Sequence, residues 1–210
     1  MRIKESRAPI QNPNDQESTK LSFQTIQRFQ AGDEKAFIEI YETYKERIYF
    51  FILNMTAGKE NLSEELTHEA FLRLYKNRES FNFSVQFTTW FWTIARNLTI
   101  DELRKKNPID YTPQNKIDQS IDQIPVNSEE FEIESLLIKK AEKEILYQAI
   151  GQLKPRQKEA ILLRIASDLT YEEIAEILNL KVNAVKALLL RARKNIEGVI
   201  KNKSPIKVAT

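Results

Sequence analysis

A tryptophan and an arginine stand one helical turn apart in the stretch TTWFWTIARNLTIDELRKK, residues 88–106. Trp92 lies off the apolar stripe of this helix and on the same side as Arg96, so it is expected to face outward. An indole can stack on an exposed base while a neighbouring guanidinium holds the phosphate of that nucleotide. The pair therefore indicates contact with a single nucleic-acid strand. The alternative is that Trp92 fills a local groove in the protein.

A second set of residues has the pattern of a protein that binds duplex DNA. Thr170 and Glu173 form a capping box that opens the helix YEEIAEIL, and Asn183 can cap the next helix, AVKALLLRARKNI. The small Ala175 would let the two helices cross closely, as a helix-turn-helix requires. Five basic residues and no acidic residue occur between positions 181 and 194. This helix pair predicts contact with a phosphate backbone.

Composition argues against most enzyme chemistries. The chain has no cysteine and a single histidine, His68, so disulfides, thiolate zinc sites and a Ser-His pair are not expected. Its four glycines cannot supply the GxxxxGK or GxGxxG loops that cradle phosphates. We therefore expect no catalytic residues, no metal and no cofactor. The residue pattern also predicts neither a leader peptide nor a membrane-spanning helix, so the chain is expected to stay in the cytoplasm without inserting into a membrane.

Hydrophobic periodicity predicts an all-α fold in which helices position these residues. Residues 33–55 form one long amphipathic helix, and Ser63 offers an N-cap to the next helix, EELTHEAFLRLYKN. The core-facing stripe of the tryptophan-containing helix comprises Phe87, Trp90, Phe91, Ile94 and Leu98. The helices AEKEILYQAIGQL and PRQKEAILLRIA precede the helix-turn-helix, and Pro155 suits the start of a helix.

The helices fall into two blocks, at residues 21–106 and 136–200. Between them, residues 107–135 contain seven acidic residues, one lysine and three prolines, which predicts an acidic flexible linker. Residues 1–20 are polar without periodicity and are taken as a flexible extension, and residues 201–210 as a flexible tail. The chain is thus predicted to form two small helical domains joined by a linker.

The helix that follows Ser63 carries an acidic face opposite its apolar stripe. The polar members of this face are Glu64, Glu65, His68 and Glu69. Carboxylates near a helix N-terminus are common because they interact favourably with the helix dipole, so a solvated face is one interpretation. The other interpretation is a docking surface.

Together these motifs resemble the sigma factors of bacterial RNA polymerase. The segments LSEELTHEAFLRLYKN and FTTWFWTIARNLTIDELRKK are similar to sigma region 2, and LKPRQKEAILLRIASDLTYEEIAEILNLKVNAVKALLLRARKNI is similar to region 4. Two such modules joined by a short linker resemble the extracytoplasmic-function (ECF) class of the sigma-70 family. The resemblance implies a dissociable polymerase subunit that recognises promoters, opens their strands and has no catalytic residues.

The resemblance implies three binding surfaces. The residues that would dock on the clamp helices of the largest polymerase subunit are Glu64, Glu65, Leu66, His68, Glu69 and Phe71. The loop at residues 82–86 would hold a base flipped from the minus-ten element, and the residues near that strand would be Asn82, Phe83, Ser84, Thr88, Trp92, Arg96, Asn97, Arg104 and Lys105. The residues that would meet the minus-thirty-five element are Arg156, Tyr171, Lys181, Asn183, Ala184, Lys186, Ala187, Arg191 and Arg193.

The resemblance also implies further contacts of the two modules and the linker. The polymerase flap would be a second docking point, and the acidic linker would thread toward the RNA exit path. An anti-sigma factor, common in the family, would cover both modules.

The helix-turn-helix departs from the family pattern at its second helix. Ala184 stands where the family commonly has Thr, and Ala187 and Leu188 stand where it commonly has Ser-Arg. His68 and Thr93 also replace a common Gln and a common Arg. Fewer bidentate donors predict weak direct reading of base edges and a preference for A/T-rich upstream elements, read through thymine methyl groups and groove shape.

Two other functions stay open from the residues alone. One is a stand-alone helix-turn-helix regulator that binds duplex DNA without polymerase. The other is a sigma-like decoy that binds polymerase without reading promoters, for which the apolar second helix is the main argument.

Overall fold

The computed structural model describes residues 21–106, 140–167 and 169–203, and it is all-helical within these ranges, as predicted. A short 3-10 turn, Arg78–Ser80, lies between the third and fourth helices. The eight helices of the described ranges are α1 (Phe23–Gln30), α2 (Glu34–Met55), α3 (Glu60–Lys76), α4 (Phe87–Lys106), α5 (Lys140–Gly151), α6 (Pro155–Ala166), α7 (Tyr171–Leu178) and α8 (Val182–Lys203). The N-terminal extension, the acidic linker and most of the C-terminal tail lie outside the described residues, and the domain bounds stay predictions. Within the described ranges, none of the helices combines the length and the hydropathy of a membrane-spanning segment.

Several helix starts follow from side-chain caps that the sequence offers. The Asp33 carboxylate accepts hydrogen bonds from the backbone N–H groups of Lys35 (2.8 Å) and Ala36 (3.4 Å), so α2 begins directly after it. At α7 the capping box is complete, because the Thr170 hydroxyl and the Glu173 carboxylate each accept the backbone N–H of the other residue. The capping box agrees with the sequence prediction, and α2 begins one residue after the predicted position 33.

The predicted start of α3 is wrong. The helix begins at Glu60, and Ser63 lies inside it, fully buried. The Ser63 hydroxyl donates to the carbonyl of Lys59 (2.7 Å) and lies 2.8 Å from the hydroxyl of Thr56. A hydroxyl bonded to the preceding turn does not cap a helix, so this serine ties α3 to the end of α2 instead.

The predicted cap of α8 is also wrong. The helix begins at Val182, and the backbone N–H groups of Ala184 and Val185 both donate to the carbonyl of Lys181. Asn183 is therefore an exposed residue of the first turn rather than the residue that ends the preceding loop. Its amide is available for contacts outside the chain.

In the first block, α2 packs against α1, α3 and α4. The predicted stripe of α4 meets it: Phe87, Phe91 and Leu98 are buried, and Trp90 and Ile94 are partly buried against the core. Phe91 lies edge-on to Tyr44 of α2, with ring centroids 5.5 Å apart. Aromatic packing of this kind fixes the direction in which α4 leaves the loop before it.

The second block, α5–α8, packs directly on the first. Helices α5 and α6 lie against α2, and α7 lies against α4. Phe50 of α2 and Tyr147 of α5 bring their rings to 6.0 Å, and the buried apolar residues of both blocks form one continuous cluster. As a result α4 is covered on two sides, which determines where its functional side chains lie.

Candidate nucleic-acid and polymerase interfaces

The prediction that Trp92 faces outward is wrong. Its side chain is fully buried and meets the ring of Phe51 edge-on, with centroids 5.5 Å apart. The stripe used for the prediction describes only part of the buried surface of α4, because Trp92 lies outside the stripe and still packs on Phe51 of α2. Because α7 packs on another side of α4, a second part of the helix surface is removed from solvent. Trp92 is a core residue in this arrangement and cannot stack on a base.

Arg96 lies one turn after Trp92 and is bound within the molecule. Its Nε and Nη2 atoms donate to Glu159 Oε2 of α6 at 2.9 Å and 2.6 Å, and its Nη1 donates to Asn97 Oδ1 at 3.0 Å. The exposed fractions of the two side chains are 11% for Arg96 and 2% for Glu159. The guanidinium predicted to hold a phosphate thus holds a carboxylate from the other block.

The loop before α4 keeps its polar and aromatic tips in solvent. Asn82, Phe83 and Ser84 are exposed, and Asn82 Oδ1 accepts the backbone N–H of Ser84 at 3.0 Å. Phe81 anchors the loop: it is buried, and its carbonyl accepts a hydrogen bond from Gln30 Nε2 at 2.8 Å. A rigid base with exposed tips is suited to binding a flexible ligand.

Phe23 of α1 is a further candidate at this loop and is absent from the predicted set. Its ring is 59% exposed and its centroid lies 5.0 Å from that of Phe83, which is itself 41% exposed. Two exposed rings in contact form a surface on which a base can stack. Residues 21–30 carry no obvious binding motif, so only the folded arrangement brings Phe23 to the loop.

The remaining predicted residues of α4 make contacts within the molecule that the sequence does not reveal. Thr88 is partly buried, and its hydroxyl lies 2.9 Å from that of Tyr44. Asn97 is exposed. Arg104 Nη1 lies 3.4 Å from Asp101 Oδ1, and Lys105 Nζ lies 2.9 Å from Glu102 Oε2.

The hydrogen bond to the Glu102 carboxylate raises the pKa of Lys105, so this amine stays charged. Because Arg104 and Lys105 each have an acid three residues earlier, this part of α4 is a mixed patch rather than a purely basic one. A DNA phosphate would have to compete with these carboxylates.

On α3 the acidic face is confirmed as a surface, but two predicted members are not part of it. Glu64, Glu65 and His68 are exposed, and Glu69 is partly exposed and accepts from Arg73 Nε at 2.7 Å. The prediction that Leu66 and Phe71 belong to this surface is wrong. They are 5% and 3% exposed because they lie on the core-facing stripe of α3. Leu72 is 44% exposed one turn after His68 and is the apolar residue of this face.

The helix-turn-helix has the predicted geometry at its turn. Asn179 ends α7 in the left-handed region (φ 52°), and the backbone N–H of Leu180 donates to the carbonyl of Ala175 at 2.9 Å. Ala175 is 4% exposed, so its small side chain lies where the helices meet. Asparagine tolerates the left-handed conformation that this tight turn requires.

The exposed row of α8 differs from the predicted one. Ala184 and Ala187 are 2% and 0% exposed, and Leu188 is 6% exposed, so the prediction that Ala184 and Ala187 meet DNA is wrong in this arrangement. They are buried because α8 packs against three helices, α5, α6 and α7, and little of its circumference is left outside. Asn183 and Lys194 are exposed, and Lys186 and Leu190 are partly exposed between them at helical spacing.

Basic side chains surround this row. Lys181 is exposed, and Arg156, Arg191 and Arg193 are partly exposed. The ring of Tyr171, at the start of α7, contacts two cations, Arg164 Cζ at 5.4 Å and Lys186 Nζ at 5.7 Å from its centroid. Cation–π contacts of this kind hold long basic side chains at a fixed position over the helix pair. Arg164 is a basic residue that the predicted set omits.

Comparison with known proteins agrees with this two-module geometry. The family model described as Sigma-70 region 2 matches residues 40–109, and that described as Sigma-70, region 4 matches residues 143–196. The chain is 31% identical over 188 residues to the ECF RNA polymerase sigma factor SigW of Bacillus subtilis, spanning 84% of this chain and 95% of SigW. It is 26% identical over 185 residues to the ECF RNA polymerase sigma-E factor of Escherichia coli K12, spanning 83% and 92%.

Two solved structures share the fold. CnrH in complex with the cytosolic domain of CnrY aligns with a TM-score of 0.61 at 17% identity and covers 86% of this chain and 97% of CnrH. The sigma factor RpoE of Bartonella quintana, in complex with the anti-sigma factor NepR, aligns with a TM-score of 0.59 at 20% identity, covering 81% and 99%. With both regions matched in order and SigW similar over nearly its full length, the chain belongs to the sigma-70 family and, within it, to the ECF class of sigma factors.

Proposed function

We propose that this chain binds RNA polymerase core and directs promoter recognition, strand opening and transcription initiation. The observation that carries the proposal is the presence of both sigma regions in one chain, with a helix-turn-helix in the second. A stand-alone regulator is not favoured, because region 2 has no role in a protein that works without polymerase. The work proposed requires no catalytic residue of the chain itself, and it is work carried out in the cytoplasm.

The proposed polymerase contact is the exposed face of α3. Glu64, Glu65 and His68 supply its polar part and Leu72 its apolar part. An interface needs a desolvated apolar centre with a polar rim, and Leu72 offers that centre where Leu66 and Phe71 do not. RpoE of Bartonella quintana is in complex with the anti-sigma factor NepR, and an anti-sigma factor that competes with polymerase for this chain would cover the same face of α3.

The proposed minus-ten contact is the loop at residues 82–86 with α1 beside it. An unpaired base would stack on Phe83 and Phe23, while Asn82 and Ser84 offer hydrogen-bonding groups to its edge. Flipping a base costs a few kcal/mol of stacking and pairing, and stacking on an aromatic ring returns about 1–3 kcal/mol per base. Two rings in contact therefore offset a large part of that cost.

The proposed minus-thirty-five contact is the exposed row of α8. Asn183 stands at its N-terminal turn, where a helix in the major groove meets base edges, and an asparagine amide can bind adenine in a bidentate manner. Lys186, Arg191 and Arg193 would neutralise phosphates.

Co-elution with polymerase core on a sizing column tests the proposal. We expect wild-type chain to co-elute at moderate salt, which screens contacts that depend on charge alone. Glu65→Lys should abolish co-elution, whereas the matched control Glu46→Lys, on the exposed side of α2, should not. A chain that elutes alone, or a Glu65→Lys variant that co-elutes as the wild type does, contradicts the proposed docking.

A further inference from the structure

The two blocks of the molecule meet through a carboxylate, Glu159, that lies against two arginines of the DNA-contacting sets predicted from the sequence. Glu159 Oε2 accepts both hydrogen bonds from Arg96, of α4, and lies 3.8 Å from Nη1 of Arg156, on its own helix. Arg96 belongs to the predicted minus-ten set and Arg156 to the predicted minus-thirty-five set. One acid thus binds Arg96 through hydrogen bonds and lies within ion-pair distance of Arg156.

The geometry at Glu159 is that of a phosphate contact. Two N–H groups of one guanidinium converge on a single anionic oxygen, which is how arginine also binds a phosphate oxygen. The carboxylate is 2% exposed, and 63 residues separate it from Arg96, so this is a contact between distant parts of the chain in a site that excludes water.

The same contact is surrounded by packing that covers α4. Helix α7 lies against α4, α6 lies against α2, and Trp92, one turn before Arg96, is fully buried. In this closed arrangement a DNA strand cannot reach the side of α4 that carries Arg96. Binding there requires the second block to move away.

We propose that Glu159 is an internal latch that stands in for a DNA phosphate and holds the unbound sigma factor closed. The inference rests on the proposed function, because it takes α4 to be a DNA-contacting helix. The closed form withholds Arg96 from DNA, and opening frees Arg96, whereas Arg156 stays beside Glu159 on α6. Removing either partner of a buried ion pair leaves the other charge without a counter-charge in a site shielded from water, which destabilises the closed form.

The apparent affinity of the chain for DNA then equals that of the open form reduced by the open fraction. If one molecule in ten or fewer is open, removal of the latch raises the affinity of the isolated chain about tenfold or more. Polymerase core, by holding the two blocks apart, would have the same effect without any mutation.

Energy transfer between two fluorophores on the full chain tests the latch. The chain has no cysteine, so Asn61→Cys on α3 and Gln152→Cys after α5, both exposed positions, give two unique labelling sites. We expect Glu159→Gln and Arg96→Gln each to lower the transfer efficiency. Glu176→Gln, an exposed acid of α7, makes the same change of charge and should leave it unaltered.

Binding of a single-stranded oligonucleotide of the minus-ten type by the same isolated chains is the second readout. Glu159→Gln should bind about tenfold tighter than wild type, and Arg96→Gln should open without this gain because it lacks the phosphate ligand. Unchanged transfer in both variants, with normal helicity by circular dichroism, overturns the latch. If Glu159→Gln does not fold, Arg96→Gln decides by transfer alone.

The outcomes separate the latch from the proposed function. Opening without a gain in DNA affinity overturns the inhibitory role of Glu159, whether or not wild-type chain co-elutes with polymerase core. Failure of wild type to co-elute overturns the proposed function, while the transfer result still decides whether the two blocks are held together by Glu159.

Discussion

Replacement of Trp92 by alanine should destabilise the protein rather than only weaken its binding to DNA. A buried tryptophan removes about 150–250 Å² of surface from water, which at about 25 cal/mol per Å² is worth about 4–6 kcal/mol. The indole N–H of Trp92 has no hydrogen-bond partner among the described residues, so its removal returns about 1 kcal/mol. The expected loss is therefore about 3–5 kcal/mol of the free energy of unfolding, the usual cost of emptying such a core position.

Urea denaturation followed by circular dichroism measures this loss, and Trp90→Ala is the matched control. Trp90 is only partly buried, so its truncation should cost about 1–3 kcal/mol. Because the chain has only two tryptophans, a Trp90→Phe variant leaves Trp92 as the sole indole, and its emission should be that of a buried ring. A Trp92→Ala variant that loses less than about 1 kcal/mol, yet loses binding to a pre-melted strand, would refute the burial argument and restore an outward tryptophan.

Three further predictions concern the surface of α3, the helix-turn-helix and a buried amine. Leu72→Ala should leave the unfolding transition unchanged and weaken polymerase co-elution, whereas Phe71→Ala should cost about 3–5 kcal/mol of stability by emptying a core site. A Leu72→Ala variant that is destabilised in urea, or a Phe71→Ala variant that is as stable as wild type, would contradict the assignment. Asn183→Ala should relax selection at one upstream base pair by about 1–3 kcal/mol, and a binding selection that returns a G/C-rich upstream consensus with wild type would overturn both this role and the expected A/T preference. Burial lowers the pKa of Lys158, so the unfolded chain binds this proton more tightly and the free energy of unfolding should rise as pH increases toward about 10.4. Lys158→Met should therefore be more stable than wild type at pH 7, and the difference should shrink in alkaline buffer. A difference that does not depend on pH would exclude the effect.

Local sequence signals predicted a helix start correctly where the start depends only on residues within the same helix. The capping box at Thr170 and the proline at position 155 depend on neighbours within one turn, and each is found at the expected helix start. The all-α fold and the helix-turn-helix follow from such signals together with hydrophobic spacing. Ser63 shows the limit: a serine can cap a helix or bond back to the preceding turn, and the sequence does not distinguish the two.

The errors at the binding surfaces have a non-local cause. Periodicity assigns one apolar stripe to each helix, but α4 and α8 each pack against more than one neighbour, so Trp92, Ala184 and Ala187 are buried by helices distant in sequence. The same limit hid the candidates gained from the fold. Phe23 joins the exposed loop only through tertiary packing, and Glu159 meets Arg96 across 63 residues.

The central claim is that this chain turns polymerase core into an enzyme that initiates at particular sites. Transcription in vitro from a library of genomic fragments, using purified core with and without the chain and mapping the 5′ ends of the RNA, tests it most directly. We expect a limited set of new start sites that share two spaced upstream elements, and we expect Glu65→Lys to abolish all of them. Wild-type chain that co-elutes with core yet creates no new start site would contradict the claim and show a protein that binds polymerase without directing initiation.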